Sequence, residues 1–319
     1  MKKIGVITSG GDAPGMNAAV RAVVRQAIFK GNEVIGIKRG FIGLLEDDYS
    51  LLDARSVSGI IDKGGTFLRT GRCPEIKTPL GMDRAIKALK ELEIEGLVII
   101  GGDGSLEAGY KISQKGIPVV CIPASIDNDI YSTEETIGFD TAFNTAVQAI
   151  DKIRDTAASH DRIFIVEVMG REHGFLALSV GLSSGAEYIL VPEIKTNYKQ
   201  LFANLNKDRA RGKTSVIIVF AEGVGNPYEL AKKINSSIGA EVRVSTLGYI
   251  QRGGSPSARS RQLACEFGAY AVEMLNKGRK NHLVVLKNGV ISDIPIHIAI
   301  KNEKLLDLKI HKLAKQLAT

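Results

Sequence analysis

Asp103, Asp127 and Asp129 stand in glycine- and asparagine-rich stretches where apolar runs end, and Arg72, Arg171 and Arg252 stand in comparable stretches elsewhere. Carboxylates alone would suit a Ca²⁺ site or a glycoside-cleaving pair; arginines among glycine loops turn the reading toward phosphate. An aspartate set in glycines also suits Mg²⁺, which commonly takes one or two carboxylates, several waters and a substrate's own phosphate oxygens. Phosphoryl transfer needs little more: an oriented nucleophile, a base near it, and cations on the transferring group. Each residue has a bland reading beside this one. Asp127 and Asp129 can be Asx turns satisfying backbone amides, and the arginines can be salt-bridged surface residues. Glu193 and Glu222, at strand ends, stay open between the two readings, whereas His160 and His173 read as helix-end or packing residues.

These residues need elements to position them. Residues 97–100 form a continuous apolar run that stops at Gly101-Gly102-Asp103-Gly104-Ser105, and residues 117–122 form another that stops at Pro123-Ala124-Ser125-Ile126-Asp127-Asn128-Asp129. One helix-length segment separates them. Non-alternating runs of this kind are parallel strands buried on both faces, and ligands bind at the carboxyl ends of such strands. The opening repeats the pattern: a strand over 3–7, a glycine loop over 8–15, a helix over 16–29 and a strand over 33–37. The helix N-terminus there offers free N–H groups to an anion, although a tight turn that needs glycine explains the same residues.

A second glycine-started loop, 64–74, ends in Arg72-Cys73-Pro74. Gly138-Phe139-Asp140-Thr141-Ala142 caps a long helix whose Phe143, Ala146, Val147, Ile150 and Ile153 recur at helical spacing. Strand and loop then alternate: 162–168 into Met169-Gly170-Arg171, 188–191 into Pro192-Glu193, 215–220 into Ala221-Glu222-Gly223, and 242–247 into residues 248–254. The pattern predicts an α/β fold with mainly parallel sheet. There is no G-x-G-x-x-G fingerprint. The nearest approach to a P-loop, Gly212-Lys213-Thr214, has Lys207 in place of the first glycine and reads as a surface turn.

A length of 319 residues suggests two domains, and 44% hydrophobic residues is ordinary for a globular protein. No apolar run reaches membrane-spanning length, and Met1-Lys2-Lys3 followed at once by a strand is not a signal peptide, so no membrane role and a cytoplasmic location are expected. Cys73, Cys121 and Cys265 are odd in number with no C-x-x-C pairing, so thiols are expected. The net charge of +7 is expected to come partly from solvated lysines, including Lys304, Lys309, Lys312 and Lys315 on a C-terminal helix. No compact basic run with interleaved aromatics points to nucleic acid.

The chain resembles the ATP-dependent bacterial 6-phosphofructokinases over essentially its whole length. The blocks that carry the likeness are TSGGDAPGMN (8–17), IGGDGS (100–105), PASIDND (123–129), IGFDTA (137–142), KIRDTAASH (152–160), VEVMGR (166–171), AEG (221–223) and QRGGSP (251–256). The resemblance implies two Rossmann-like α/β/α sandwich domains, the second inserted in the first: 1–138 plus 251–301 for ATP and Mg²⁺, and 139–250 plus 302–319 for the sugar phosphate. It implies a glycolytic kinase that transfers the γ-phosphoryl group of Mg-ATP to the 1-hydroxyl of fructose 6-phosphate. Asp127 would be the base, Asp129 would assist, Ser125 would keep a hydroxyl beside them, and Asp103 would hold Mg²⁺. Arg72 and Arg171 would stabilise the transferring charge. Gly11, Gly102, Gly104 and Ser105 would surround the nucleotide phosphates, with Cys73 nearby and Phe41 stacking on adenine. Met169, Gly170 and Glu222 would hold the sugar. Arg162, Arg243 and Arg252, with Tyr249, would hold its 6-phosphate, Arg162 and Arg243 reaching in from a neighbouring subunit of a homotetramer. An effector site for ADP or phosphoenolpyruvate matches Arg21, Arg25, Arg154, Gly185, Glu187, Arg211 and Lys213.

The departures from the family pattern bear on donor and regulation. Ala124-Ser125 stands where Gly-Thr is frequent, Tyr249 where histidine is common, Phe41 where tyrosine often packs on adenine, and Ala108 where glycine is frequent. Ala54, Gly59 and Thr214 replace polar or charged effector ligands. Pyrophosphate-dependent relatives typically carry aspartate at position 104 and lysine at 124; Gly104 and Ala124 favour ATP. The rival readings are a kinase using pyrophosphate or another sugar phosphate, and a non-catalytic sensor, which would have no need of a base at Asp127.

Overall fold

A computed structural model describes residues 1–318; Thr319, the end of the expected second domain, lies outside the described residues. The chain forms two compact units: Met1–Thr141 with Arg252–Lys304, and Ala142–Gln251 with Leu305 to the C-terminus. These seams fall a few residues from the expected ones, and side chains explain each shift. The Thr141 hydroxyl donates to Ser260 Oγ at 2.9 Å, tying the start of its helix into the first unit. Gln251 accepts from Met169 N and donates to the Gly248 carbonyl, so it belongs to the second. Lys304 donates to the Asn128 carbonyl and belongs to the first.

In chain order the first unit begins with β1 (Lys3–Ser9), α1 (Met16–Phe29), β2 (Glu33–Ile37), α2 (Phe41–Leu45) and β3 (Tyr49–Leu52). Next come α3 (Pro79–Glu91), β4 (Gly96–Gly101), α4 (Asp103–Gln114), β5 (Val119–Ser125), the short β6 (Ile137–Gly138) and α5 (Phe139–Ser159), which continues into the second unit. That unit holds β7 (Ile163–Val168), α6 (Phe175–Ser183), β8 (Tyr188–Leu190), α7 (Tyr198–Ala210), β9 (Val216–Ala221), α8 (Pro227–Ile238) and β10 (Val242–Thr246). The chain returns to the first unit with α9 (Ala258–Asn276), β11 (His282–Lys287), β12 (Val290–Pro295) and α10 (Ile296–Lys301), and ends with α11 (Leu308–Leu317).

The first sheet runs β12-β11-β5-β4-β1-β2-β3, with β6 paired to β5. Its centre is parallel, and β3 and β12 are antiparallel at the two edges. β1, β4 and β5 are buried along almost their whole length because helices cover both faces, which is why they read as unbroken apolar runs. After β1 the chain adds β2 on one side and later β4 on the other. The β1/β4 boundary is therefore the switch point where α/β sheets open a crevice at their carboxyl ends. The second sheet is wholly parallel in the order β10-β7-β9-β8, over a core that includes Ile165, Leu205, Ile218, Phe220 and Ile234. Among the described residues no helix is long and apolar enough to cross a membrane.

Candidate active site

The switch point in the first unit brings two glycine loops together. Ser9 is in register with Gly101, and a methyl group on Gly101 would collide with the Ser9 carbonyl and the Ser105 hydroxyl, so this approach demands glycine. Gly102 caps α4 without a side-chain hydrogen bond and Asp103 is its first residue, which sets the positive end of the helix dipole at the crevice. Ser105 Oγ is buried there with no hydrogen-bond partner, a state that costs free energy unless a ligand completes it. Gly104 differs from Gly101: a Cβ would meet nothing within 4 Å, so neither packing nor backbone angle requires glycine at this position. Open space above Gly104 beside an orphaned hydroxyl is what a phosphate chain would fill. A carboxylate at the same helix start fits an Mg²⁺ ion carried on those phosphates.

The 64–73 loop is bolted to the first glycine loop. Thr70 Oγ1 donates to the Gly10 carbonyl at 2.7 Å and Thr8 Oγ1 to the Arg69 carbonyl at 2.8 Å, while Asn17 Nδ2 donates to the Lys63 and Gly64 carbonyls. This places exposed Arg72 and half-buried Cys73 in the same unit as Asp103. Arg252 also lies here. It forms an ion pair with Asp12 at 2.8 Å and sits where a methyl group on Gly11 would be, so Gly11 makes room for an arginine. Phe41 is 3% exposed, packed in the core with residues such as Ile7, Ile37 and Leu44, so its ring offers little open face for an adenine.

Beyond β5 the turn of Ser125 to Asp129 is held from several sides. Asp127 N donates to Ser125 Oγ at 3.2 Å, and Ser125 Oγ is 3.4 Å from Asp129 Oδ1. Asn128 takes a left-handed conformation with φ 52°; its side chain donates to the Glu134 carbonyl and accepts from Thr136 N. Asp127 is buried, 5% exposed. The β11/β12 hairpin pins the far end of the loop: Leu286 N donates to Thr133 Oγ1, and Asn288 N and Gly289 N donate to the Glu134 carboxylate. That hairpin turns on Asn288-Gly289, both with positive φ, a two-residue signal that the sequence reading passed over.

Lys304 is a correction. It was expected on a solvated C-terminal helix, but α11 starts only at Leu308, and Lys304 lies before it with Nζ donating to the Asn128 carbonyl at 2.8 Å and the Glu134 carbonyl at 3.3 Å. Burial pushes its ammonium down to about 8, against the opposing pull of Asp129, Glu134 and Glu135. No local signal marks such a residue, since its partner is 176 positions away.

The second unit gathers its own set. At the carboxyl end of β7, Gly170 and Arg171 both adopt positive φ, and Glu222, at the end of adjacent β9, accepts from the main-chain N–H of each. Met169 N donates to fully buried Gln251, and Tyr249, two residues earlier, is 79% exposed. Arg162 and Arg243 share Glu241: the first pairs at 3.0 Å, the second is also in contact, and both hold the carboxyl below its usual range.

Of the expected effector residues, Arg154, Gly185, Glu187 and Lys213 come together. Arg154 donates to the Ser184 and Gly185 carbonyls, and Glu187 pairs with Lys213 at 3.3 Å and Arg154 at 3.7 Å. Arg211 caps α7 in the same unit, whereas Arg21 and Arg25 lie on α1 in the first.

The phosphofructokinase family profile matches residues 3–275. The chain is 50% identical to an ATP-dependent 6-phosphofructokinase of Thermotoga neapolitana over 319 residues, and 50% identical to one of Bacillus subtilis over 318, covering 100% of each chain in both cases. Among solved structures it is similar to phosphofructokinase from Saccharomyces cerevisiae (TM-score 0.88, 32% identity) and from Pichia pastoris in the T-state (0.89, 34%). It covers 99% of itself in both but only 46% and 38% of those longer chains. A pyrophosphate-dependent phosphofructokinase from Marinobacter aquaeolei shares the fold, with a TM-score of 0.85 at 23% identity. With the profile spanning most of its length and full-length relatives at half identity, the chain belongs to the phosphofructokinase family.

Proposed function

We infer that the protein is an ATP-dependent 6-phosphofructokinase, transferring the γ-phosphoryl group of ATP to the 1-hydroxyl of fructose 6-phosphate and releasing ADP and fructose 1,6-bisphosphate. The observation that carries the donor assignment is the open space at Gly104 beside the unpartnered Ser105 hydroxyl at the start of α4. An aspartate at 104 would put a second carboxylate beside Asp103, where ATP's phosphates are to lie, and the like charges would repel.

Asp127 accepts the proton of the 1-hydroxyl as that oxygen forms its bond to the γ-phosphorus and the bond to the β-phosphate oxygen breaks, leaving ADP. Ser125 and Asp129 orient the base through the short turn they share with it. Arg72 and Arg171 stabilise the charge spreading over the transferring group. Mg²⁺, held by Asp103 and the nucleotide's own oxygens, would neutralise charge on the β and γ phosphates when bound. Glu222 and the Met169–Arg171 turn hold the sugar. Arg162, Arg243, Arg252 and Tyr249 serve its 6-phosphate, with Arg162 and Arg243 donated to the site of a neighbouring subunit in a homotetramer. The Glu187 cluster, with Arg21, Arg25 and Arg211, takes ADP or phosphoenolpyruvate as effector. Residues 1–141 with 252–304 then act as the nucleotide unit and 142–251 with the C-terminal segment as the sugar phosphate unit.

The test is fructose 1,6-bisphosphate formation with Mg²⁺ present or withheld, ATP and pyrophosphate being supplied in parallel. Turnover with ATP and Mg²⁺ alone is expected. Turnover with pyrophosphate would overturn the donor assignment, and none with either donor would overturn the kinase reading.

A further inference from the structure

Lys304 has no part in the proposed binding or transfer of the phosphoryl group. It is the last residue of the first unit, and its ammonium reaches the main chain of the Asp127–Asn128–Asp129 turn. Two carbonyls accept from it, Asn128 O in the turn and Glu134 O at the turn's far end. The charged groups facing it are Asp129, Glu134 and Glu135, and Glu135 is itself paired with Arg259 of α9 at 2.8 Å. The segment it holds includes a non-glycine residue in the left-handed region, Asn128, a conformation uncommon outside glycine that asparagine tolerates better than most residues.

We propose that Lys304 is a positioning residue for the phosphoryl transfer: its ammonium clamps the Asn128 and Glu134 carbonyls and so fixes the turn that presents Asp127 to the acceptor hydroxyl. The proposal rests on the assignment of Asp127 as the base. A charge-assisted bond to a carbonyl is roughly twice as strong as its neutral counterpart, so the clamp is tight while Lys304 is protonated and slackens when it is not. Because burial brings that loss of charge down to about pH 8, the slackening falls within the range where the enzyme can be assayed. Small displacements of a catalytic group cost far more in turnover than in ground-state binding, so the clamp acts on kcat rather than KM.

The experiment compares the parent with Lys304→Met, which keeps the aliphatic stem, and Lys304→Arg, which keeps a cation at every accessible pH. kcat and both KM values are measured from about pH 6.5 to about pH 9.5. Lys304→Met is expected to lose on the order of 10- to 100-fold in kcat with both KM values within about threefold. The parent's kcat should fall above about pH 8. Lys304→Met should lack that fall, and Lys304→Arg should stay active through it. A Lys304→Met enzyme within about twofold of the parent, or one whose basic limb matches the parent's, overturns the proposal. If Lys304→Met does not fold, Lys304→Arg decides, because a parent-like decline in that variant is incompatible with a role for the Lys304 charge. Asp127→Ser in the same assay separates this outcome from failure of the underlying reading: if it keeps parental turnover, the base assignment is at fault, whatever Lys304 does.

Discussion

The two units build their candidate anion sites from different materials. In the first, the crevice is largely main chain: glycines at the β1/β4 switch point, the opening of α4, and a left-handed turn at Asn128 fixed by buried hydrogen bonds, with the Arg252–Asp12 pair beside them. In the second, the cations Arg162 and Arg243 rest on Glu241, and Arg154 and Lys213 rest on Glu187. A main-chain site is set before ligand arrives and cannot relax. A side-chain site held by its own carboxylates must exchange one anion for another. The first kind suits a step where geometry decides the rate, and the second suits reversible binding of a phosphate ester.

The largest break of this comparison comes from the proposed base. Asp127→Ser should lower kcat by about 10²-fold or more while leaving fructose 6-phosphate affinity close to the parent value, read by turnover and by calorimetry. A parallel loss of affinity would mean that the first unit's carboxylate is a binding group, and the division of labour would fail. Glu222 in the second unit is an exception that sharpens the rule, because it braces main chain instead of parking a cation. Glu222→Ala removes the acceptor for Gly170 N and Arg171 N, bonds to a charged group worth about 1.5 to 3 kcal/mol each. kcat/KM for fructose 6-phosphate should fall by about tenfold or more, with Glu222→Gln intermediate because an amide oxygen still accepts. Equal and full activity of both variants would show that the Arg171 turn holds itself.

Glu241→Gln runs in the opposite direction. Removing the carboxylate frees Arg162 and Arg243, so the KM for fructose 6-phosphate should drop by about two- to fivefold. Thermal stability should change little, since exposed ion pairs contribute about 0 to 1 kcal/mol. A rise in KM would mean that Glu241 organises the arginines for phosphate instead of competing with it.

The same contrast explains what was legible in the sequence. The glycine loops, the buried strands and the aspartates at their ends were readable because main-chain sites need particular residue types at particular spacings. Gly101 is required by the approach of Ser9 and Ser105, and a doubly covered parallel sheet leaves unbroken apolar runs such as residues 97–100. Arg162, Arg243 and the Glu187 cluster look like any other surface charges in the sequence, and only the family resemblance singled them out. Glu241 carries no sign of its role in the sequence, and Lys304 reads there as a solvated lysine. Glu241 matters because of two partners brought together by adjacent parallel strands, and Lys304 because of a carbonyl far away in the chain. Its run of neighbouring lysines gave the impression of a solvated face, and burial of one member of such a run leaves no periodic trace. Phe41 shows the converse: a ring expected to stack on adenine is consumed by the core between β2 and α3.

The smallest effect expected is at the C-terminal helix, where the second unit uses a buried imidazole. His311 of α11 is 8% exposed and its Nε2 donates to the Ile189 carbonyl of β8 at 3.3 Å. Burial, reinforced by the nearby Lys315 charge, lowers its proton affinity below the ordinary histidine value, while the Ile189 carbonyl opposes the shift. The folded state therefore binds fewer protons here than the unfolded chain, which titrates near pH 6.5. The stabilisation is fully present above that pH and is lost as pH falls through the unfolded value toward the lower folded one. His311→Leu removes the titration along with one hydrogen bond. Its Tm should lie below the parent's at about pH 7.5, and the gap should narrow by about 1 to 3 °C at about pH 5.5, since every other titrating group is common to both proteins. A gap that stays constant with pH would show that His311 is as easily protonated in place as in the unfolded chain. In that case α11 would be held by its packing against α6 and β8 with no contribution from the protonation of His311.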